Sequence, residues 1–274
     1  MPPGGLPDKM YIAIDGTGVP MMTAETAGRP GKGEDGRART REVKLACVFT
    51  QTKTDEDGCP VRDPDSSSYL ATFAPAAGFG VLMAAEACRR GAARVRQLTI
   101  LGDGAVWIWN LASEHFPEAT QIVDLYHARE HLNDLGRQLA FMLGDASAGW
   151  LAERSAELDD GDIDALAAAA RVFPLAGVKA RERDTALGYF EGNAPRMRYK
   201  HFRSCGLFVG SGVVEAGCKS VIGQRLKQSG MHWSQPGATG ILTLRCQQAS
   251  GRWDEIWQQP DNQTHRADLR TRAS

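Results

Sequence analysis

The six cysteines of this 274-residue chain (Cys47, Cys59, Cys88, Cys205, Cys218 and Cys246) include no Cys-x-x-Cys pair, which argues against a zinc ribbon or a small disulfide scaffold. They are expected to be reduced thiols in a cytoplasmic protein. No apolar run approaches the length of a membrane span, and Met1-Pro2-Pro3-Gly4-Gly5 has neither the charged start nor the apolar stretch of a signal peptide. Nothing in the sequence points to a membrane. The net charge of -1 supplies no global attraction to nucleic acid. Gly31-Lys32-Gly33 lacks the spacing and the following Ser or Thr of a P-loop. Ser211-Gly212 is no nucleophile elbow, because Val209 stands where that turn needs glycine. No helix-turn-helix or zinc finger is found.

What is present is an ordinary globular composition, 42% hydrophobic and 24% charged, sufficient for a sizeable core. Three acids stand at the edges of apolar runs: Asp15 after Tyr11-Ile12-Ala13-Ile14, Asp103 after Leu98-Thr99-Ile100-Leu101-Gly102, and Glu215 after Gly210-Ser211-Gly212-Val213-Val214. Such runs are stable when buried, so both aspartates are expected where a strand ends and a loop begins. Asp-Gly is also plain turn chemistry, since the carboxylate accepts nearby N–H groups and glycine takes positive φ. Glu215 lies in a basic stretch (Arg196, Arg198, Lys200, Arg203, Lys219, Arg225, Lys227) as its one acid. A solvated basic face or a phosphate-binding surface would both explain that stretch.

Tyr11–Asp15, Val43–Thr50, Tyr69–Phe73, Leu98–Leu101 and Thr120–Val123 read as strands, with helices over Phe79–Gly91 and Ala105–Phe116. Strand-helix-strand at the end of that series requires a parallel pair, so the fold class is α/β. Gly28–Arg37 reads as a long flexible loop and Gln51–Ser68 as a polar connection. From Ala128 the composition turns to Ala, Leu, Arg and Glu, a helical insertion. A helix over Val213–Gln228 and a Trp-rich segment, Trp233–Trp257, return to the core. Trp107, Trp109, Trp233, Trp253 and Trp257 are read as core residues rather than base-stacking ones. The boundaries are 1–127 for the first part of a catalytic domain, 128–200 for the insertion, 201–259 for the remainder and 260–274 for a disordered tail.

Carboxylates at neighbouring strand ends can hold hard divalent cations that activate an attacking oxygen and stabilise a leaving one at phosphorus. The runs Asp15-Gly16-Thr17-Gly18-Val19-Pro20, Arg41-Glu42-Val43-Lys44, Gly102-Asp103-Gly104, Asp124-Leu125-Tyr126-His127, Gly210-Ser211-Gly212-Val213-Val214-Glu215 and Gly230-Met231-His232-Trp233-Ser234 together resemble bacterial insertion-sequence transposases of the DDE type, closest to the ISKra-type group. The resemblance implies a ribonuclease-H-like mixed sheet flanked by helices and interrupted by an all-helical insertion. It implies DNA strand cleavage and transfer at transposon ends by a homo-oligomer on DNA, with two Mg²⁺ or Mn²⁺ ions on Asp15, Asp103 and Glu215. Lys219, Arg225 and Lys227 would meet phosphates. Asp124 and His127 look like the acid-x-x-His signature of related Mutator-like transposases, which makes Asp124 the rival of Asp103.

Two other readings come from the residues. His127-Ala128-Arg129-Glu130-His131 matches His-x-x-Glu-His, a zinc-peptidase motif that would need a third ligand such as Glu153 or Glu157. The resembled group usually carries a DNA-binding region ahead of the catalytic domain, and only Met1–Lys9 precede the first strand here. An inert DNA-binding remnant of a transposase is therefore the third reading.

Overall fold

The computed structural model describes residues 8–31, 36–210 and 212–257. Its centre is a five-stranded sheet in the order β5-β2-β1-β6-β7, built from β1 (Lys9–Pro20), β2 (Thr40–Gln51), β5 (Ser68–Thr72), β6 (Gln97–Gly102) and β7 (Thr120–Val123). β1, β2 and β5 run antiparallel; β6 and β7 lie parallel to β1. This is the mixed, helix-flanked α/β arrangement expected, consistent with a ribonuclease-H-like fold. The parallel pairs follow from the crossovers: α2 (Ala76–Arg89) carries the chain to β6, and α3 (Val106–His115) carries it to β7.

β1 and β2 are the longest strands because Met10 to Ile14 and Val43 to Phe49 are buried throughout, as central strands covered on both faces must be. Asp15 corrects the sequence reading at this point. It lies within β1, opposite Leu45, and Gly16, Thr17 and Gly18 continue the ladder against Lys44, Val43 and Glu42. The turn expected after Asp15 does not form because small residues there fit the pleat and their N–H groups find partners. The connection onward contains α1 (Thr23–Thr26). Pro30 and Arg37 are bridged, with Gly31 N donating to Gly36 O at 2.9 Å, so the flanks of the expected loop are paired. Its residues 32–35 lie outside the described residues. The polar connection after β2 holds a short hairpin of β3 (Lys53–Thr54) and β4 (Pro60–Val61).

Between β7 and Gly210 every described element is helical: α4 (Leu125–Leu143), α5 (Ser147–Asp160), α6 (Ile163–Arg171), α7 (Gly177–Asn193) and α8 (Tyr199–Ser204). α9 (Gly212–Gly217) then runs into a π-helical segment, Cys218–Gly223, and a last turn, α10 (Gln224–Leu226). α11 (Gln235–Ala249) packs on edge strand β5. Trp109 is buried as expected, but Trp253 and Trp257 are 44% and 65% exposed, stacked edge-to-face on each other rather than in the core. The tail assigned to 260–274 lies outside the described residues. No helix among the described residues is long and apolar enough to cross a membrane.

Candidate active site

Strand register brings the aspartates together. Ala13 pairs with Leu101 and Gly102 pairs with Val123. Carried two residues beyond the first pair, the β1–β6 register sets Asp15 beside Asp103; carried one beyond the second, the β6–β7 register sets Asp103 beside Asp124. Asp103 and Asp124 stand just past the ends of β6 and β7, so the register fixes which end of the sheet they occupy. Three acids thus form a row along the C-terminal side of the parallel strands.

Their local environments differ. Asp15 is half-buried; its Oδ1 accepts from Gly16 N at 2.6 Å and its Oδ2 from the Cys218 thiol at 3.0 Å. Asp103 is half-buried and makes the turn that the sequence allowed, its Oδ1 accepting from Ala105 N at 2.9 Å while Gly104 takes a φ of +99°. Asp124 is wholly buried and caps α4, its Oδ1 accepting from Tyr126 N at 2.7 Å and His127 N at 3.1 Å.

Glu215 is carried toward this row by the chain that precedes it. Lys9 Nζ donates to Cys205 O and Gly206 O at 3.0 and 2.9 Å, and Gln51 Nε2 donates to Gly206 O at 3.0 Å. Phe208 then packs edge-on against the stacked pair Tyr11 and Phe49, at 5.3 and 5.6 Å between centroids. Leu125 N donates to Val209 O at 2.9 Å, and a Cβ on Gly210 would stand 4.0 Å from Asp124 Oδ2. The chain therefore enters α9 beside Asp124. α9 packs on β1 and β2. Glu215 and Cys218 are three residues apart, the spacing that shares a helix face, and Cys218 touches Asp15. Burial first, then the charge of Asp15 with a further contribution from Glu215, pushes the Cys218 thiol well above its ordinary pKa, so it remains a hydrogen-bond donor.

Among the described residues, the half-buried Asp15, Asp103 and Glu215 form no ion pair with Lys or Arg. Their oxygens are hard donors of the kind that suits Mg²⁺ or Mn²⁺. Among the described residues no three His, Cys, Asp or Glu side chains stand close enough together to hold an ion. The acids form a row rather than a closed cage.

The basic stretch around Glu215 does not make one surface. Arg196 lies 5.0 Å over the Trp109 ring and bonds Gln121 at 2.7 Å; Lys200 and Arg203 pair with Asp160 and Asp159 at 3.1 and 3.6 Å. Arg225 sits 5.5 Å over Trp233. Lys219 and Lys227 are exposed, and Lys227 Nζ donates to Thr17 Oγ1, two residues from Asp15. The stretch disperses because its helices turn their cations toward separate acids and rings.

The His-x-x-Glu-His reading finds no third ligand. Glu157 and Glu153 bond Arg154 at 2.6 and 3.2 Å, His131 stacks on Tyr189 at 3.7 Å, and His127 Nδ1 lies 3.6 Å from Glu130. Cys218 and Tyr189, both in contact with the acid row, were not singled out from the sequence. Cys218 carried a readable signal, its spacing of three from Glu215; Tyr189 carried none.

No family model matches the chain, and no curated protein matches it. Among solved structures, a chain of the Drosophila P element transposase strand transfer complex is similar at 13% identity and a TM-score of 0.28. That likeness covers 92% of this chain, which spans 65% of the other.

Proposed function

We propose that this chain is the catalytic domain of a DDE-type transposase of the ISKra-type insertion-sequence group, a metal-dependent polynucleotidyl transferase acting on DNA. The observation that carries the reading is the pair of half-buried acids Asp15 and Asp103, brought to one end of the sheet by the β1–β6 register, with Glu215 three residues before Cys218, whose thiol bonds Asp15. The six motifs behind the resemblance also gather on one side of the sheet. Trp233 N donates to Pro20 O at 3.2 Å, Met22 N to Trp233 O at 2.9 Å, and Arg41 bonds Gln235.

In this reading Asp15, Asp103 and Glu215 would hold two Mg²⁺ or Mn²⁺ ions, which would supply Lewis-acid activation of the attacking oxygen and charge stabilisation of the leaving one. Asp15 is held for that task at both oxygens, by Gly16 N–H and the Cys218 thiol. Asp103 is held at one oxygen by Ala105 N–H. The exposed Lys219 and Lys227 neutralise phosphates along the incoming strand, whereas Arg225 props Trp233 and contributes less than the sequence implied. Asp124 serves the fold by capping α4, which favours Asp103 as the second metal-binding acid.

The test is nicking of labelled transposon-end DNA with Mn²⁺. Wild-type protein should cut, and Asp15→Asn, Asp103→Asn and Glu215→Gln should each lose roughly 100-fold or more, the scale of losing one electrostatic stabiliser in an active site. Equal nicking by wild type and Asp15→Asn would overturn the catalytic assignment. Cutting retained in Asp103→Asn but abolished in Asp124→Asn would transfer the second position to Asp124.

A further inference from the structure

Among the helices between β7 and α9, α7 reaches the Asp103 turn through a tyrosine. Tyr189, on α7, donates its hydroxyl to the main-chain carbonyl of Asp103 at 2.9 Å. Its ring also closes over Gly104, where a Cβ would stand 2.5 Å from Tyr189 Cε2. Asp103, Gly104 and Ala105 form the turn that aims the Asp103 carboxylate, since Ala105 N–H is what holds Oδ1. A turn with glycine at a φ of +99° has many alternatives open to it when nothing lies against it. Tyr189, lying against Gly104, removes those alternatives.

Tyr189 is itself held. His131 of α4 stacks on its ring at 3.7 Å with an interplanar angle of 22°, Phe190 meets it edge-on at 5.3 Å, and Asn193 Nδ2 bonds its carbonyl at 2.9 Å. The second histidine of His-x-x-Glu-His thus faces a tyrosine ring, where a zinc site would have required another ligand.

We propose that Tyr189 is a positioning residue for Asp103, and that His131 acts by holding the Tyr189 ring in place. The inference rests on Asp103 being a metal-binding acid. It makes the α4–α7 pair a support for the acid row, so that anything displacing α7 also turns the Asp103 carboxylate.

The experiment measures Mn²⁺ binding by the purified full chain, from the loss of the free-ion paramagnetic resonance signal, alongside metal-free melting temperatures. Tyr189→Phe keeps the ring and its packing and should melt like wild type without metal, yet bind Mn²⁺ about five- to tenfold more weakly, the effect of one lost hydrogen bond. His131→Ala should weaken Mn²⁺ binding as well, and His131→Phe, which restores a stacked ring, should recover it. Tyr189→Phe binding Mn²⁺ as tightly as wild type, while Asp103→Asn does not, would overturn the positioning role and leave the acid row standing. Asp103→Asn binding like wild type would overturn the metal site itself and this inference with it. A metal-free melting temperature lowered in Tyr189→Phe, with no recovery by His131→Phe, would reduce the tyrosine to a packing residue.

Discussion

Glu86 shows what this fold does with a sequestered acid that has no chemistry to perform. It is 10% exposed at its side chain, and Arg89 and Arg252 lie 2.6 and 3.1 Å away. Burial alone would raise its pKa, but the Arg89 hydrogen bond and the two guanidinium charges outweigh that and bring it from 4.5 to about 2. Among the described residues Asp15, Asp103 and Glu215 have no such arginine partner. A carboxyl whose folded pKa is depressed adds stability above its unfolded pKa and loses it as pH falls toward the folded value. The contribution of Glu86, about 3 kcal/mol at neutral pH, is thus expected to fade between pH 4.5 and about 2. Glu86→Gln should melt well below wild type at pH 7, and the two melting temperatures should converge as the pH approaches 2. A gap unchanged across that range would show that the arginines do not stabilise the charged form.

The strands were the most legible elements. β7 was read with its observed bounds, Thr120–Val123, because a short β-branched run between Pro117 and Asp124 leaves little choice. β1 was read too short, since Asp15-Gly16 resembles a turn locally and only pairing with β2 keeps it extended. The same dipeptide logic succeeded at Asp103-Gly104, where no antiparallel partner competes. Helix α9 and the segment after it were read as one helix, and its π-helical stretch was invisible because it depends on how the helix meets the sheet. Gly217 governs that meeting. A Cβ there would fall 2.6 Å from the Tyr69 ring and 3.3 Å from Leu45. Gly217→Ala should push α9 off β2, costing about 1–3 kcal/mol by overpacking. Nicking should fall by more than that stability loss explains, because Glu215 and Cys218 ride on the same helix. Melting and nicking measured on the same preparation separate the two effects.

At the scale of the molecule, the sheet edges are both covered: β5 lies under α11, where Ser250 Oγ accepts from Tyr69 N at 2.9 Å, and β7 is met by the Ala194–Arg196 turn through Arg196 and Gln121. Covered edges discourage sheet-to-sheet association between copies, so an oligomer on DNA would form through other surfaces. The basic stretch is a matter of the same scale. Sequence proximity gathers seven cations, and the fold distributes five of them among Trp109, Asp159, Asp160, Trp233 and Thr17.

The bond between Cys218 and Asp15 joins positions separated by 203 residues. Contacts so distant along the chain close late, after the local hairpin and crossover units are in place. During synthesis Asp15, Asp103 and Asp124 can all be present on a folded sheet before Glu215 has been made. A chain stopped at Ser204 should accordingly carry those three acids and cut no DNA. In the proposed reading, the set of acids is therefore completed only once the polypeptide has been made past Glu215.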